Sequence, residues 1–235
     1  MASRSGEART ILITGATGLV GRGLAKYFSG TGASILLCGR NEERLRELAA
    51  RTHGAVAYVA DLCDAGSLAR MVDRILADGR TPDIVINNAA DITSLPLLES
   101  SLEDIDRIVR TNVIGTLQLC RLLVPDMIAN GGGSLVTISS LAGYKPNPAQ
   151  TVYGISKAAL NATSEALRAE LSGRGIHVLN VAMMSVGEGR GRIPVDRIGR
   201  CIEDAVERKR PELFFYGRTK WLMRVYGMFP WLMRP

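Results

Sequence analysis

Thr10-Ile11-Leu12-Ile13-Thr14-Gly15-Ala16-Thr17-Gly18-Leu19-Val20-Gly21 opens as a short β-branched apolar run and breaks into three evenly spaced glycines. A helical pattern through Leu24, Ala25 and Phe28 follows, so the stretch predicts strand, tight turn and helix. The same alternation continues outward. Ser34–Leu37, Ala55–Val59, Asp83–Asn87, Ser134–Ile138, His177–Val181 and Glu212–Phe215 form further strand candidates. Between them fall helical stretches: Glu42–Arg51 behind a capping Asn41, Ser67–Ala77, a long run Leu102–Asn130, Thr151–Leu171 and Arg197–Arg208. Strands alternating with helices predict βαβ units and a parallel sheet. Apolar runs without polar alternation predict strands covered on both faces. The fold class is therefore α/β: a doubly wound parallel sheet of seven strands with helices on both faces.

The 235 residues show no repeat and no composition break, and 46% are hydrophobic, so one domain with a large core is expected over 1–235. Basic residues exceed acidic ones by 29 to 23, a net charge of +6, without a dense Lys/Arg tract. That pattern argues against a nucleic-acid partner and suits a basic surface that attracts an anionic ligand. Cys38, Cys63, Cys120 and Cys201 lack metal-ligand spacing, and His53 and His177 add none. No metal site is expected, and the cysteines suit a reducing compartment. The first ten residues lack the apolar stretch of a secretory signal, and no uncharged run is long enough to span a membrane. A cytoplasmic location is the expectation.

Glycine-rich turns after a first strand set backbone N–H groups and a helix N-terminus against a pyrophosphate. Gly15 permits the tight turn, Gly18 the approach of phosphates, and Gly21 close packing of helix on strand. The second strand ends Cys38-Gly39-Arg40, with a guanidinium where an acid would bind a ribose 2′-hydroxyl. Arg40 can pair with a 2′-phosphate, which favours NADP(H) over NAD(H); it can also pair with Glu42 or Glu43. Arg22 is a second candidate for that phosphate. Asp61 is placed to receive an adenine amino group or to cap the next helix.

Tyr153-Gly154-Ile155-Ser156-Lys157 sets a phenol and an ammonium on one helical face. The ammonium is expected to lower the tyrosine pKa, preparing Tyr153 to exchange a proton with a carbonyl or alcohol oxygen. Ser140, after the fifth strand, can orient that oxygen at the carboxyl edge of the sheet. Asn112 interrupts an apolar helical face, either to bind a water relaying protons toward Lys157 or as a core amide that bends the helix.

With these residues the chain resembles the short-chain dehydrogenases/reductases, from about Thr10 to Val181 and more loosely beyond. The matching features are the Thr14–Gly21 turn, Asp61, Asn87-Asn88-Ala89, Asn112, Ser140 and Tyr153-x-x-x-Lys157. The Ser140-to-Tyr153 separation, usual in the family, selects Ser140 over Ser139. The resemblance implies a Rossmann-like sheet, a catalytic tetrad of Asn112, Ser140, Tyr153 and Lys157, and a homodimer or homotetramer. It implies cofactor contacts from Gly15, Thr17, Gly18, Leu19, Val20, Gly21, Arg40, Asp61, Leu62, Asn88, Ala89, Ala90, Tyr153, Lys157 and Val186. The function expected is an NADP(H)-dependent oxidoreductase acting on a small carbonyl or alcohol. A cofactor-binding scaffold and a non-redox dehydratase- or epimerase-like enzyme are the alternatives.

Three departures from the family pattern stand out. The middle glycine of the turn comes one position early, with Leu19 in its usual place. Ala90 replaces a glycine. After the sixth strand, Met183-Met184-Ser185-Val186-Gly187-Glu188 replaces a Pro-Gly-x-x-x-Thr pattern, so this region, with the short Gly/Arg-rich segment after it, is expected to be open. Finally, an amphipathic segment at about 217–235 sets Trp221, Leu222, Val225 and Phe229 on one helical face beside Lys220 and Arg224. It suits a membrane surface, a second subunit or a cover for the substrate cleft.

Overall fold

The computed structural model describes residues 8–145, 147–187 and 192–215; Glu188 and the segment 217–235 lie outside them. The chain runs β1 (Thr10–Thr14), α1 (Leu19–Ser29), β2 (Ser34–Gly39), α2 (Glu42–Ala50), β3 (Ala55–Val59), α3 (Ala65–Ala77) and β4 (Ile84–Asn87). It continues with α4 (Leu102–Val109), a π turn (Arg110–Ile114), α5 (Gly115–Ala129) and β5 (Gly133–Ser140). Last come α6 (Thr151–Glu170), β6 (Ile176–Met183), α7 (Val195–Glu207) and β7 (Glu212–Phe214). All seven strands pair in parallel in the order β3-β2-β1-β4-β5-β6-β7.

Strand side chains alternate between two cores. Ile11 and Ile13 of β1 and Ile35 and Leu37 of β2 join Leu24 and Phe28 of α1 and Ile198 and Ile202 of α7 on one face. Leu12 and Leu36 join Leu68 and Ile75 of α3 and Leu119 and Leu123 of α5 on the other. Covering both faces is why these strands read as unbroken apolar runs. Leu36 is wholly buried, and truncating it to alanine should cost about 2–5 kcal/mol.

Local signals set the helix starts. The Asn41 side chain accepts from Arg44 N–H at 2.8 Å, and Asp64 accepts from Gly66 and Ser67 N–H at 2.8 and 3.1 Å. Ser101 and Asp104 form a reciprocal capping box at α4. The expected single helix 102–130 is instead interrupted by the π turn, where the Gly115 N–H reaches back to the Arg110 carbonyl. Strand order reverses between β1 and β4. Since consecutive crossovers lead away from this point in opposite directions, a crevice opens at the carboxyl ends of the two strands. Among the described residues no helix is long and apolar enough to cross a membrane.

Candidate active site

A cavity of roughly 1500 Å³ occupies that crevice. The β1–α1 turn forms one end. Gly15 has φ +62°, and a Cβ there would lie 2.7 Å from the Ala89 Cα, so only glycine lets β1 and β4 approach this closely. Asn88 completes the junction: its side-chain amide donates to the Thr14 and Gly15 carbonyls at 2.8 and 3.2 Å. The Thr14 hydroxyl accepts from the Asn88 and Ala89 N–H groups, both at 3.0 Å. Gly21 lies beneath the turn, and a Cβ there would collide with the Gly15 carbonyl oxygen. Gly18 differs, since the nearest atom to its Cβ position is the Gly15 oxygen at 3.3 Å.

As the N-cap of α1, Gly18 offers no side-chain acceptor, and the first turn contains no acid. The positive end of α1 is left for a ligand. Thr17, Gly18, Leu19 and Val20 line the cavity beside it, while Gly21 does not. Arg40 lines the same end and forms no ion pair among the described residues; Glu42 pairs with Arg46 at 2.6 Å instead. Asp61 and Leu62 form the floor. Asp64, not Asp61, caps α3, whereas Asp61 accepts from Cys63 N–H at 2.9 Å and keeps its place on the cavity wall. An uncapped helix N-terminus, glycines that keep the backbone bare, and an unpaired guanidinium fit a phosphate-bearing dinucleotide.

At the other end, α6 presents Tyr153 and Lys157 one turn apart. The turn after β5 lies directly on this helix. A Cβ at Gly143 would stand 2.5 Å from the Lys157 carbonyl carbon, so the close approach requires glycine. Ser140 is thereby brought beside Tyr153, and its Oγ accepts from Ala142 N–H at 3.1 Å. The Ser139 hydroxyl is spent elsewhere, donating to Asn161 Oδ1 at 2.6 Å and to the Lys157 carbonyl at 3.2 Å.

Lys157 is 3% exposed, and its ammonium donates to the Ile138 carbonyl at 2.9 Å and sits 5.7 Å from the Tyr153 ring centroid. Burial pushes its pKa down to about 8. Tyr153 departs from the sequence expectation: burial raises its pKa, and the hydrogen bond with Ser140 opposes the rise. Desolvation of the phenolate dominates at this site.

Asn112 stands at the centre of the π turn and is wholly buried. Its Oδ1 accepts from Asp91 N–H at 2.7 Å, and its Nδ2 donates to the Asp91 carbonyl at 3.0 Å and to Ser156 Oγ at 2.9 Å. Ser156 in turn donates to the Tyr153 carbonyl at 2.7 Å. The side chain thus has protein partners at both its oxygen and its nitrogen. The Asp91 carboxylate accepts from Arg107 Nε at 2.7 Å and from Thr93 N–H at 2.9 Å. Asp91, Arg107 and Ser156 carry no motif in the sequence, because the contacts that place them here, Asp91 with Arg107 and Asn112 and Ser156 with Asn112, span 16 to 44 residues.

Ala90 and Val186 both line the cavity. The segment after β6 is held at its base, where Ile193 N–H donates to the Ser185 carbonyl and Gly187 N–H to the Ile193 carbonyl, both at 3.0 Å. Glu188 and the following three residues lie outside the described residues.

The sequence profile of the short chain dehydrogenase family matches residues 9–187. Sulfoacetaldehyde reductase 2 of Chromohalobacter salexigens is 36% identical over 180 residues, 73% of this chain and 70% of its own. A short-chain dehydrogenase from Sphingobium yanoikuyae, solved with NADPH, superposes with a TM-score of 0.82 at 27% identity, covering 96% of this chain and 95% of that one. The bulky-bulky ketone specific alcohol dehydrogenase of Comamonas testosteroni gives 0.81 at 27% identity, again over 96% and 95%. The profile match takes in both the glycine turn and the Tyr153–Lys157 pair, and by it this chain belongs to the short-chain dehydrogenases, NAD(P)-dependent oxidoreductases of carbonyl and alcohol groups.

Proposed function

We propose that this chain is an NADP(H)-dependent carbonyl reductase that also runs in reverse as an alcohol dehydrogenase. The observation that carries the reading is the convergence of Ser140, Tyr153 and Lys157 on the cavity whose far end holds the uncapped α1 N-terminus and the unpaired Arg40. Residues of the β1–α1 turn, with Asp61, Leu62, Asn88, Ala89 and Ala90, would hold the dinucleotide, and Val186 would meet its nicotinamide end. Bound there, the dinucleotide supplies or accepts hydride at the substrate carbon.

The chain's own residues handle the oxygen. Ser140 donates a hydrogen bond that orients it. Tyr153, kept protonated by its raised pKa, gives up its proton as negative charge develops. Lys157 places a positive charge beside the phenol, and the proton it can release near pH 8 suits it to reprotonate the tyrosine. Asn112 acts by holding the Asp91 loop and, through Ser156, the main chain at Tyr153. The NADPH complex of one structural neighbour and the reductase and ketone-specific alcohol dehydrogenase names of the other two relatives support this reading.

Parallel fluorescence titrations with NADPH and NADH test it. Tighter binding of NADPH that is lost in Arg40→Ser is expected. Equal affinities, or binding of neither, would overturn the cofactor assignment.

We also infer a homo-oligomer, supported by half-exposed Ile114, Leu117 and Ile155 on neighbouring parts of the helical face; sedimentation velocity tests it. A reducing, cytoplasmic setting is supported by the four free cysteines, of which Cys38 and Cys120 are buried with thiols pushed up to about 12 and 11. A membrane contact through 217–235 is tested by flotation with vesicles.

A further inference from the structure

The wall of the cavity beyond Ser140 is rich in hydrogen-bond donors that the protein leaves unused. Lys145, Asn147 and Gln150 all line it, on the stretch that joins the turn after β5 to α6. Lys145 makes no ion pair among the described residues. Asn147 spends its Oδ1 on the Ala149 N–H at 3.0 Å, so the group it can turn outward is its NH2. Gln150 precedes α6 without capping it by its side chain, and the first turn of that twenty-residue helix contains no acid. The positive end of the helix dipole therefore falls on the same wall.

Among the described residues, no carboxylate of the cavity is available to balance this wall. Asp61 is held by Cys63 N–H at 2.9 Å at the far end. Asp91 is held by Arg107 and Thr93, which together keep its carboxyl below the usual range against the effect of burial. What remains is one compact positive charge with neutral donors beside it, at the rim and on the side where Ser140 and Tyr153 meet the reacting carbonyl.

We propose that the substrate carries an anionic group, a carboxylate or a sulfonate, on the arm beyond its carbonyl, and that Lys145, with Asn147 and Gln150, receives it. The proposal rests on the reductase reading for the position of the carbonyl. Lys145 is then a specificity residue that acts in binding, and its loss should appear in KM.

The test uses the full chain and a series of oxo-carboxylates of increasing length, each beside its methyl ester, assayed with NADPH. In the wild type the acid should exceed its ester in kcat/KM by roughly tenfold at one or more lengths, the scale of one hydrogen bond to a charged group. Lys145→Met should bring that ratio near unity through KM, Lys145→Arg should retain most of it, and added salt should erode it. Esters as good as acids at every length, acid and ester losing equally in Lys145→Met, or a weakened NADPH affinity in that variant would each overturn the proposal. Calorimetric titration of the acids into the NADP-bound protein separates the two readings. Acid binding lost in Lys145→Met upholds the anion site even where no ketone turns over, an outcome that would defeat the reductase reading. No acid binding to the wild type would overturn the anion site.

Discussion

Asn112 grips Asp91 by both of its main-chain groups, accepting from the N–H at 2.7 Å and donating to the carbonyl at 3.0 Å. This pair of bonds mimics one rung of a β-ladder between a helical side chain and a loop. It fixes the strand-end loop that lines the cavity to the helix that contains the π turn. Asn112→Ala leaves two half-buried main-chain groups and the Ser156 hydroxyl without that partner. A loss of about 1–3 kcal/mol is expected by urea denaturation, with a fall in kcat larger than any change in the KM for NADPH.

Tyr153→Phe keeps the packing of the ring and removes its proton. Turnover should fall by about 10²–10⁴-fold, the usual span of general acid–base contributions, while NADPH affinity measured by fluorescence stays within about twofold, a margin inside the usual effect of a substitution that breaks no packing. Lost cofactor binding with the chemistry preserved would contradict the role given to the phenol.

The raised pKa of Tyr153 has a sign that kinetics can read. Alcohol oxidation needs the phenolate, so its rate should climb with pH toward the alkaline limit. Ser140 holds that pKa down, and Ser140→Ala should therefore move the alkaline limb further upward as well as lowering kcat. A limb that stays in place would show that Ser140 does not act on the phenol.

Lys157 trades stability for chemistry. Burial lowers its folded-state pKa to about 8, against 10.5 when exposed. The cost of burying the ammonium is fully present below pH 8 and is relieved as the pH rises from 8 toward 10.5, where the unfolded chain binds the extra proton. Stability from this group thus increases with pH across that window. Lys157→Met should remove the dependence and be more stable at pH 7 by about 1–4 kcal/mol, yet lack activity. Denaturation curves at pH 7 and 10 compare the two proteins.

The glycines of the first turn should separate into two kinds. Gly21→Ala places a methyl group against the Gly15 carbonyl oxygen and Ala16, and should unfold at markedly lower temperature. Gly18→Ala meets only the Gly15 oxygen, at 3.3 Å, from a φ of −74° that alanine accepts. Its stability should change by less than about 1 kcal/mol while NADPH binding weakens. Equal thermal losses in both variants would remove Gly18 from the cofactor surface.

Much of this protein is legible in one dimension, because the determining interactions are local or periodic. Unbroken apolar runs mark the strands, the glycine spacing marks the turn, and Asn41 marks a helix start through a contact three residues on. The Tyr153–Lys157 pairing follows from helical pitch alone. Tertiary structure decided what depends on burial and on distant partners. The helix expected over 102–130 is broken by the π turn at Asn112, whose amide finds Asp91 across 21 residues. Asp64 rather than Asp61 caps α3, which leaves Asp61 to the cavity. Ser139 and Ser140 are adjacent in sequence, yet Asn161 takes the hydroxyl of the first and Tyr153 meets that of the second. Even the direction of the Tyr153 pKa was set in this way, since a neighbouring ammonium can be read from spacing, but desolvation exists only once the chain has closed around the ring.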